Sequence, residues 1–331
     1  MISERQNEGI NIKRLAAQGQ LYNRAKQLHL VHILSAPFVL LVAIIVAILK
    51  SAPLMRSVGA NTIDAIWFLG VISIFVLVVD QWALESSERD LKSLAAGIQE
   101  EFDCDVFQLQ WNDELVPKHP SRESILANAE YYVKSHGDAG FRNWYDYPDN
   151  EFIPLTAARV ICQRSNVSWD ADLRGKYMNL VLATGAVASA LVLIVGLMGD
   201  MSLRGLIRGI IPLLPIVAFI ISEVKQNRIA ITGLHEIRDA IEKQWQEILA
   251  GNVSDSDLAA KSRRLQDRIY MSRKGSPLIP KWIYDKLKAF HESLMVETAE
   301  QMKQEYLGRS YVSEAERSGT PEAHDFESPG K

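Results

Sequence analysis

Two clusters of cationic side chains with an aromatic neighbour are the residues best suited to chemistry in this sequence. Arg164, Trp169 and Arg174 recur within eleven positions, and Arg264, Arg268, Tyr270 and Arg273 within ten. Guanidinium groups beside an indole or phenol ring can hold an anionic ligand by charge-assisted hydrogen bonds and stacking. Each set has a plainer reading as well. The first can anchor a helix at a membrane interface, and the second can attract anionic lipid headgroups. Metal and covalent chemistry are not supported. His235-Glu236 and His291-Glu292 lack the second histidine of a zinc-binding HExxH, and no GxxxxGK[ST] loop or GxSxG elbow occurs. Cys104 and Cys162 form no CxxC pair, which argues against a zinc site and reads as reduced cytosolic thiols. No catalytic residue, cofactor or metal is expected, and an enzyme is the weaker class.

A second spacing concerns packing. Gly185/Ser189 and Ala186/Ala190 are small residues four apart, which lets helices approach closely.

The elements that would carry these residues follow from hydropathy. Hydrophobic residues make up 48% of the chain and charged ones 23%, but the apolar residues gather in four blocks. The first, Leu30 to Leu49, holds no formal charge, and as a helix would extend about 30 Å, the thickness of a hydrocarbon core. The second runs from about Thr62 to Leu84, with Trp67 and Trp82 placed as interfacial anchors. The third, Tyr177 to Gly199, is uncharged between Lys176 and Asp200. The fourth, about Leu203 to Ser222, is the weakest. Arg204 and Arg208 lie in its first turns, and Pro212 and Pro215 interrupt it. The sequence thus predicts a mainly α, polytopic membrane protein with four transmembrane helices. Arg5, Lys13, Arg14, Arg24 and Lys26 precede the first block, whereas the short turns carry only Lys50 and Arg56, or Arg204 and Arg208. This bias places both termini and the central module in the cytoplasm.

Six regions result: a cytoplasmic amphipathic helix (1–29), a first hairpin (30–84), a cytoplasmic module (85–176), a second hairpin (177–222), C-terminal cytoplasmic helices (223–307) and a disordered tail (308–331). In the first, Ile12, Leu15, Gly19, Tyr22 and Ala25 share a face. That face suits a membrane surface or an oligomer contact. The module reads as mostly helical. Alternation of Phe107, Leu109 and Trp111 predicts one short strand, and Ser121 caps a helix reaching about Lys134. Residues 136 to 154 read as an irregular loop, followed by a helix from Leu155 to Lys176. Another helix starts near Ser254. Leu234, Ile237, Ile241, Trp245 and Ile248 follow a 3-4-4-3 spacing, either a coiled-coil seam for a partner or a face packed on the chain's own module. The net charge of -4 gives no case for a nucleic-acid polymer as partner.

Several short motifs, in order, resemble one known family. They are Glu4-Arg5-Gln6-Asn7, Leu15-Ala16-Ala17-Gln18 and Gln20-Leu21-Tyr22 before the first block. Ile161-Cys162-Gln163-Arg164-Ser165-Asn166, Trp169-Asp170 and Leu173-Arg174 precede the third. Leu265-Gln266-Asp267-Arg268-Ile269-Tyr270 follows later, with Arg273, Pro277 and Pro280. Together, over about residues 3 to 305, they resemble the bacterial SMODS-associated four-transmembrane pore-forming effectors. Gly19 departs from the family pattern, where a longer polar residue is usual, and would loosen the first helix. The resemblance implies an antiphage effector in the bacterial inner membrane, working as a homo-oligomer in the lipid bilayer. It also implies a functional link to a nucleotidyltransferase whose cyclic or linear oligonucleotide triggers permeabilisation. A nucleotide would then be the anion for the two arginine clusters. A non-pore membrane scaffold and a constitutive ion channel are the alternatives.

Overall fold

The computed structural model describes residues 2–51, 84–145, 153–198 and 214–318. Eight α-helices carry them: α1 (Ile2–Gln6), α2 (Gly9–Ser51), α3 (Glu85–Val106), α4 (Arg122–His136), α5 (Leu155–Met198), α6 (Leu214–Ala250), α7 (Asp255–Gly275) and α8 (Lys281–Ser318). A single 3-10 turn, Ala139–Phe141, follows α4.

One core gathers a face from every major helix. Leu15 and Leu21 of α2 meet Ile98, Phe102 and Val106 of α3, and Ile125 and Ala129 of α4. Val160 and Ile161 of α5, Leu265 and Ile269 of α7, and Ala299 and Met302 of α8 complete it. Ile12, Leu15 and Ala25 are all buried, so the amphipathic face of α2 is spent inside the molecule. The 3-4-4-3 seam is spent likewise. Leu234, Ile237, Ile241, Trp245 and Ile248 of α6 all lie in this core, which decides between a partner and the chain's own module in favour of the latter.

Capping explains the helix starts. Ser121 precedes α4 in an extended conformation, and its hydroxyl accepts from the Ser124 amide at 3.1 Å. Ser254 does the same for α7 through the Asp257 amide at 3.2 Å. Each satisfies a backbone donor that the first turn leaves unpaired.

Two expectations are corrected. The short strand at 106–111 does not form, and no strand occurs among the described residues. Val106 instead ends α3. Gln108 then adopts a left-handed φ of 52°, the Gln108 amide donates to Asp105, and the Leu109 amide donates to Cys104. This is the Schellman ending, and it buries Phe107 and Leu109 by reversing the chain rather than by strand alternation.

The four-span polytopic architecture is the second correction. A spanning helix needs about 20 consecutive apolar residues. Among the described residues, no helix is long and apolar enough to cross a membrane. The apolar run at 30–49 is the distal part of α2, and that from 177 continues α5. Both helices begin as polar-faced elements packed into the core. The second block up to residue 83, residues 203–213 of the fourth and Gly199 lie outside the described residues. Helix α8 continues to Ser318, into the stretch whose composition reads as disordered, and residues 319–331 also lie outside.

The helix-packing pair is used in part. Ile220 of α6 packs so closely on Gly185 of α5 that a Cβ there would stand 2.9 Å from its Cδ1. Ser189 donates its hydroxyl back to the Gly185 carbonyl at 2.8 Å, whereas Ala186 and Ala190 remain exposed.

Candidate functional site

The arginines singled out by sequence take part in two different arrangements, and neither is a cavity. Arg273 is part-buried and pairs with the fully buried Asp103 of α3 at 2.5 Å. Asp103 also accepts from Gln266 at 2.8 Å and from the Tyr145 hydroxyl. One turn earlier, Glu100 accepts from Arg263 and, at 2.9 Å, from Gln266. Gln163 of α5 closes the cluster by donating to the Gln266 side chain at 3.1 Å. Two carboxylates thus face two guanidiniums in the centre of the fold. Burial raises the Glu100 pKa, the opposing charge of Arg263 being the smaller influence. Burial works against charge on Arg263 and Arg273, but Glu100 and Asp103 hold both guanidiniums protonated.

Arg174 is buried. It donates to Asp170 at 3.0 Å, to Asn227 of α6 at 3.3 Å and to the Pro277 carbonyl at 2.8 Å. It ties α5 and α6 to the linker before α8. Tyr270 is buried against Ala96 and Val116. Trp169 is half-buried and meets Tyr284 edge-on at 5.4 Å. Arg164 lies 3.7 Å from Glu242, and Arg268 lies 3.5 Å from Glu236. Arg264 is exposed on α7. The structure therefore brings Arg273 into a charge-balanced core and Arg174 into a clamp, and leaves the other candidates apart.

A cavity lies elsewhere. A cleft of about 1050 Å³ opens between α2, α4 and the start of α8. Helix α2 contributes Gln20, Asn23, Arg24, Lys26, Gln27 and His29 to its wall. Asn128 and Tyr131 come from α4, and Lys281, Trp282 and Asp285 from α8. None of the seven sequence candidates lines it.

The electrostatics of this cleft differ from those of the core. Lys281 is paired with Asp285 at 2.9 Å. Lys26 sits over the Tyr284 ring, 5.1 Å from its centre, with no carboxylate within ion-pair distance among the described residues. Burial, and next the charge of Lys281, push the Lys26 pKa down to about 8. Arg24 is exposed nearby. Two large rings also face solvent, Tyr131 at 64% and Trp282 at 59% exposure. The α8 end that carries Trp282 adds the partial positive charge of a helix N-terminus.

Sequence reasoning missed this cleft because its walls come from segments about a hundred or more residues apart. One local signal existed. Trp282 follows Pro280-Lys281 at a helix start, outside the apolar periodicity that would bury it.

The SMODS-associating 4TM effector domain matches residues 1–302, and the chain belongs to that family. A protein of Bacillus cereus (strain VD146), named as a probable CBASS effector molecule, is 28% identical over 289 residues. The match covers 85% of this chain and 91% of that relative. No solved structure matches the chain.

Proposed function

We propose that this protein is an antiphage effector of the CBASS type, triggered by a nucleotide second messenger from a partner nucleotidyltransferase and acting by oligomerising and permeabilising the inner membrane. The observation that carries the reading is the family match over residues 1–302, joined by a relative named as a probable CBASS effector.

The surface supports a membrane target. Leu30, Val31 and Leu34 of α2 are exposed, as are Leu180, Leu182, Val187 and Ile194 of α5. Val217, Ile221 and Ile229 of α6 are exposed too. Large side chains exposed in this number mark a surface made for lipid or for protein rather than for water. They lie on the same continuous helices as residues anchored in the core. Displacing a helix at its core end would therefore displace its apolar end. No catalytic step is assigned to the protein in this reading. The scaffold alternative loses its main support, because the seam that would hold a partner is buried in the chain's own core.

The test is dye release from liposomes of inner-membrane lipids, using the full chain with and without the products of the partner nucleotidyltransferase. Release only with product is expected. Absence of release with every product, from protein shown to be folded, overturns the reading.

A further inference from the structure

The cleft between α2, α4 and α8 has the chemistry of a ligand site, because cations, amides and exposed rings meet on its walls. We propose that it binds the triggering ligand, a phosphate-bearing compound with at least one planar base, through Arg24, Lys26 and Lys281 for the phosphate and Tyr131 and Trp282 for the base. This rests on the function proposed above and adds the place and the chemistry of recognition.

Four observations carry it. The cations outnumber the acids, since Arg24, Lys26 and Lys281 face only Asp285 from the walls of the cleft. Asp285 is engaged by Lys281 at 2.9 Å, so it and Asp170 act on Lys26 from beyond ion-pair distance. Lys26 has given up much of its hydration without gaining a carboxylate, the condition in which a bound anion is most favourable. Its pKa near 8 agrees with that geometry. Finally, two aromatic residues from two different helices are left largely in water, although exposed tryptophan and tyrosine are the side chains on which bases stack. Amides lining the same wall, such as Asn128, can read base edges.

Size narrows the class. Ligand pockets commonly measure about 300–1000 Å³. A cleft of about 1050 Å³ is ample for more than a mononucleotide. A lipid headgroup shares the phosphate but has no planar base to stack, so the two sources separate at Trp282.

The experiment uses the full chain in detergent and three probes: the 5′-phosphorylated dinucleotide pApA, the cyclic diadenylate and short-chain phosphatidylglycerol. Binding is read by calorimetry on wild type, Lys26→Gln, Arg24→Gln and Trp282→Leu, each with its melting curve as a folding control. At least one nucleotide is expected to bind. Lys26→Gln and Trp282→Leu should each weaken it by about tenfold or more, the worth of one charged or stacking contact. Arg24→Gln should weaken it less, because that side chain is already hydrated. Phosphatidylglycerol should bind weakly and with no dependence on Trp282. If a nucleotide binds all variants like wild type, the cleft is not the site, and the triggered function survives elsewhere in the molecule. If phosphatidylglycerol binds and neither nucleotide does, the cleft is a lipid site. If nothing binds folded wild type, the site and a trigger of this chemistry fall together.

Discussion

The centre of the fold and the cleft hold similar numbers of cations, yet they use them in opposite ways. In the centre, Arg263 and Arg273 meet Glu100 and Asp103, and Gln266 and Tyr145 take up the remaining lone pairs. At the cleft, Lys26 meets a ring rather than a carboxylate, and Arg24 meets solvent. A buried pair is costly to assemble but far costlier to break, so matched charges specify a structure. Unmatched, part-desolvated charges destabilise the free protein, and they persist where a ligand is to complete them. The arrangement of charge, more than its amount, separates scaffold from site.

Breaking the matched side should give the largest effect. Asp103→Ala leaves the part-buried Arg273 without its carboxylate and the Tyr145 hydroxyl without its acceptor. A loss of about 3–5 kcal/mol is expected in denaturant melts. A loss under about 1 kcal/mol would mean that water fills the site and that the balance is not structural.

The next effect concerns the seam between the two regions. Gly19 lets Tyr132 and Phe141 lie against α2, and a Cβ there would stand 3.2 Å and 3.3 Å from their rings. The expectation that glycine loosens the helix is thus replaced by close packing. Gly19→Gln should cost about 1–3 kcal/mol by overpacking, read in the same melts. It should also disturb the cleft, because Tyr132 adjoins Tyr131 in α4.

The smallest effect has the opposite sign. Lys26→Met removes a part-desolvated charge with no carboxylate at ion-pair distance and should stabilise the protein at pH 7 by about 1 kcal/mol. The folded pKa of about 8 lies below the unfolded value of about 10.4. Between these values the unfolded state binds more protons, so wild-type stability rises with pH through that window. The advantage of Lys26→Met should therefore shrink from pH 8 to about pH 10.4 and vanish above it. A constant gap would show that the lysine keeps its ordinary pKa.

How much could be read beforehand follows from locality. Ser121 and Ser254 announce their helices because a cap is decided within four residues. The 3-4-4-3 face of α6 was legible, although its partner was not. The motifs that carry the family resemblance turn out to build the scaffold. Gln163, Gln266 and Arg273 join the polar centre, and Arg174 clamps the helix ends. Those arginines looked like ligand contacts because a sequence shows a charge without showing its counter-charge. Glu100 and Asp103 lie some 160 residues from the arginines they neutralise. The alternation at 107–111 misled for a related reason, since a Schellman turn at Gln108 also places every second residue inward. The four-span expectation came from counting apolar runs as separate elements, whereas in the structure the described ones extend core-packed helices.

Hydrogen exchange on the full chain, with and without the nucleotide that triggers it, tests the contrast most directly. Slowed exchange at residues 20–30, 127–136 and 280–285, with the amides around Glu100, Asp103 and Gln266 unchanged, is the result expected. Protection confined to α7 and the polar centre, with the cleft unaltered, would contradict the assignment of scaffold and site.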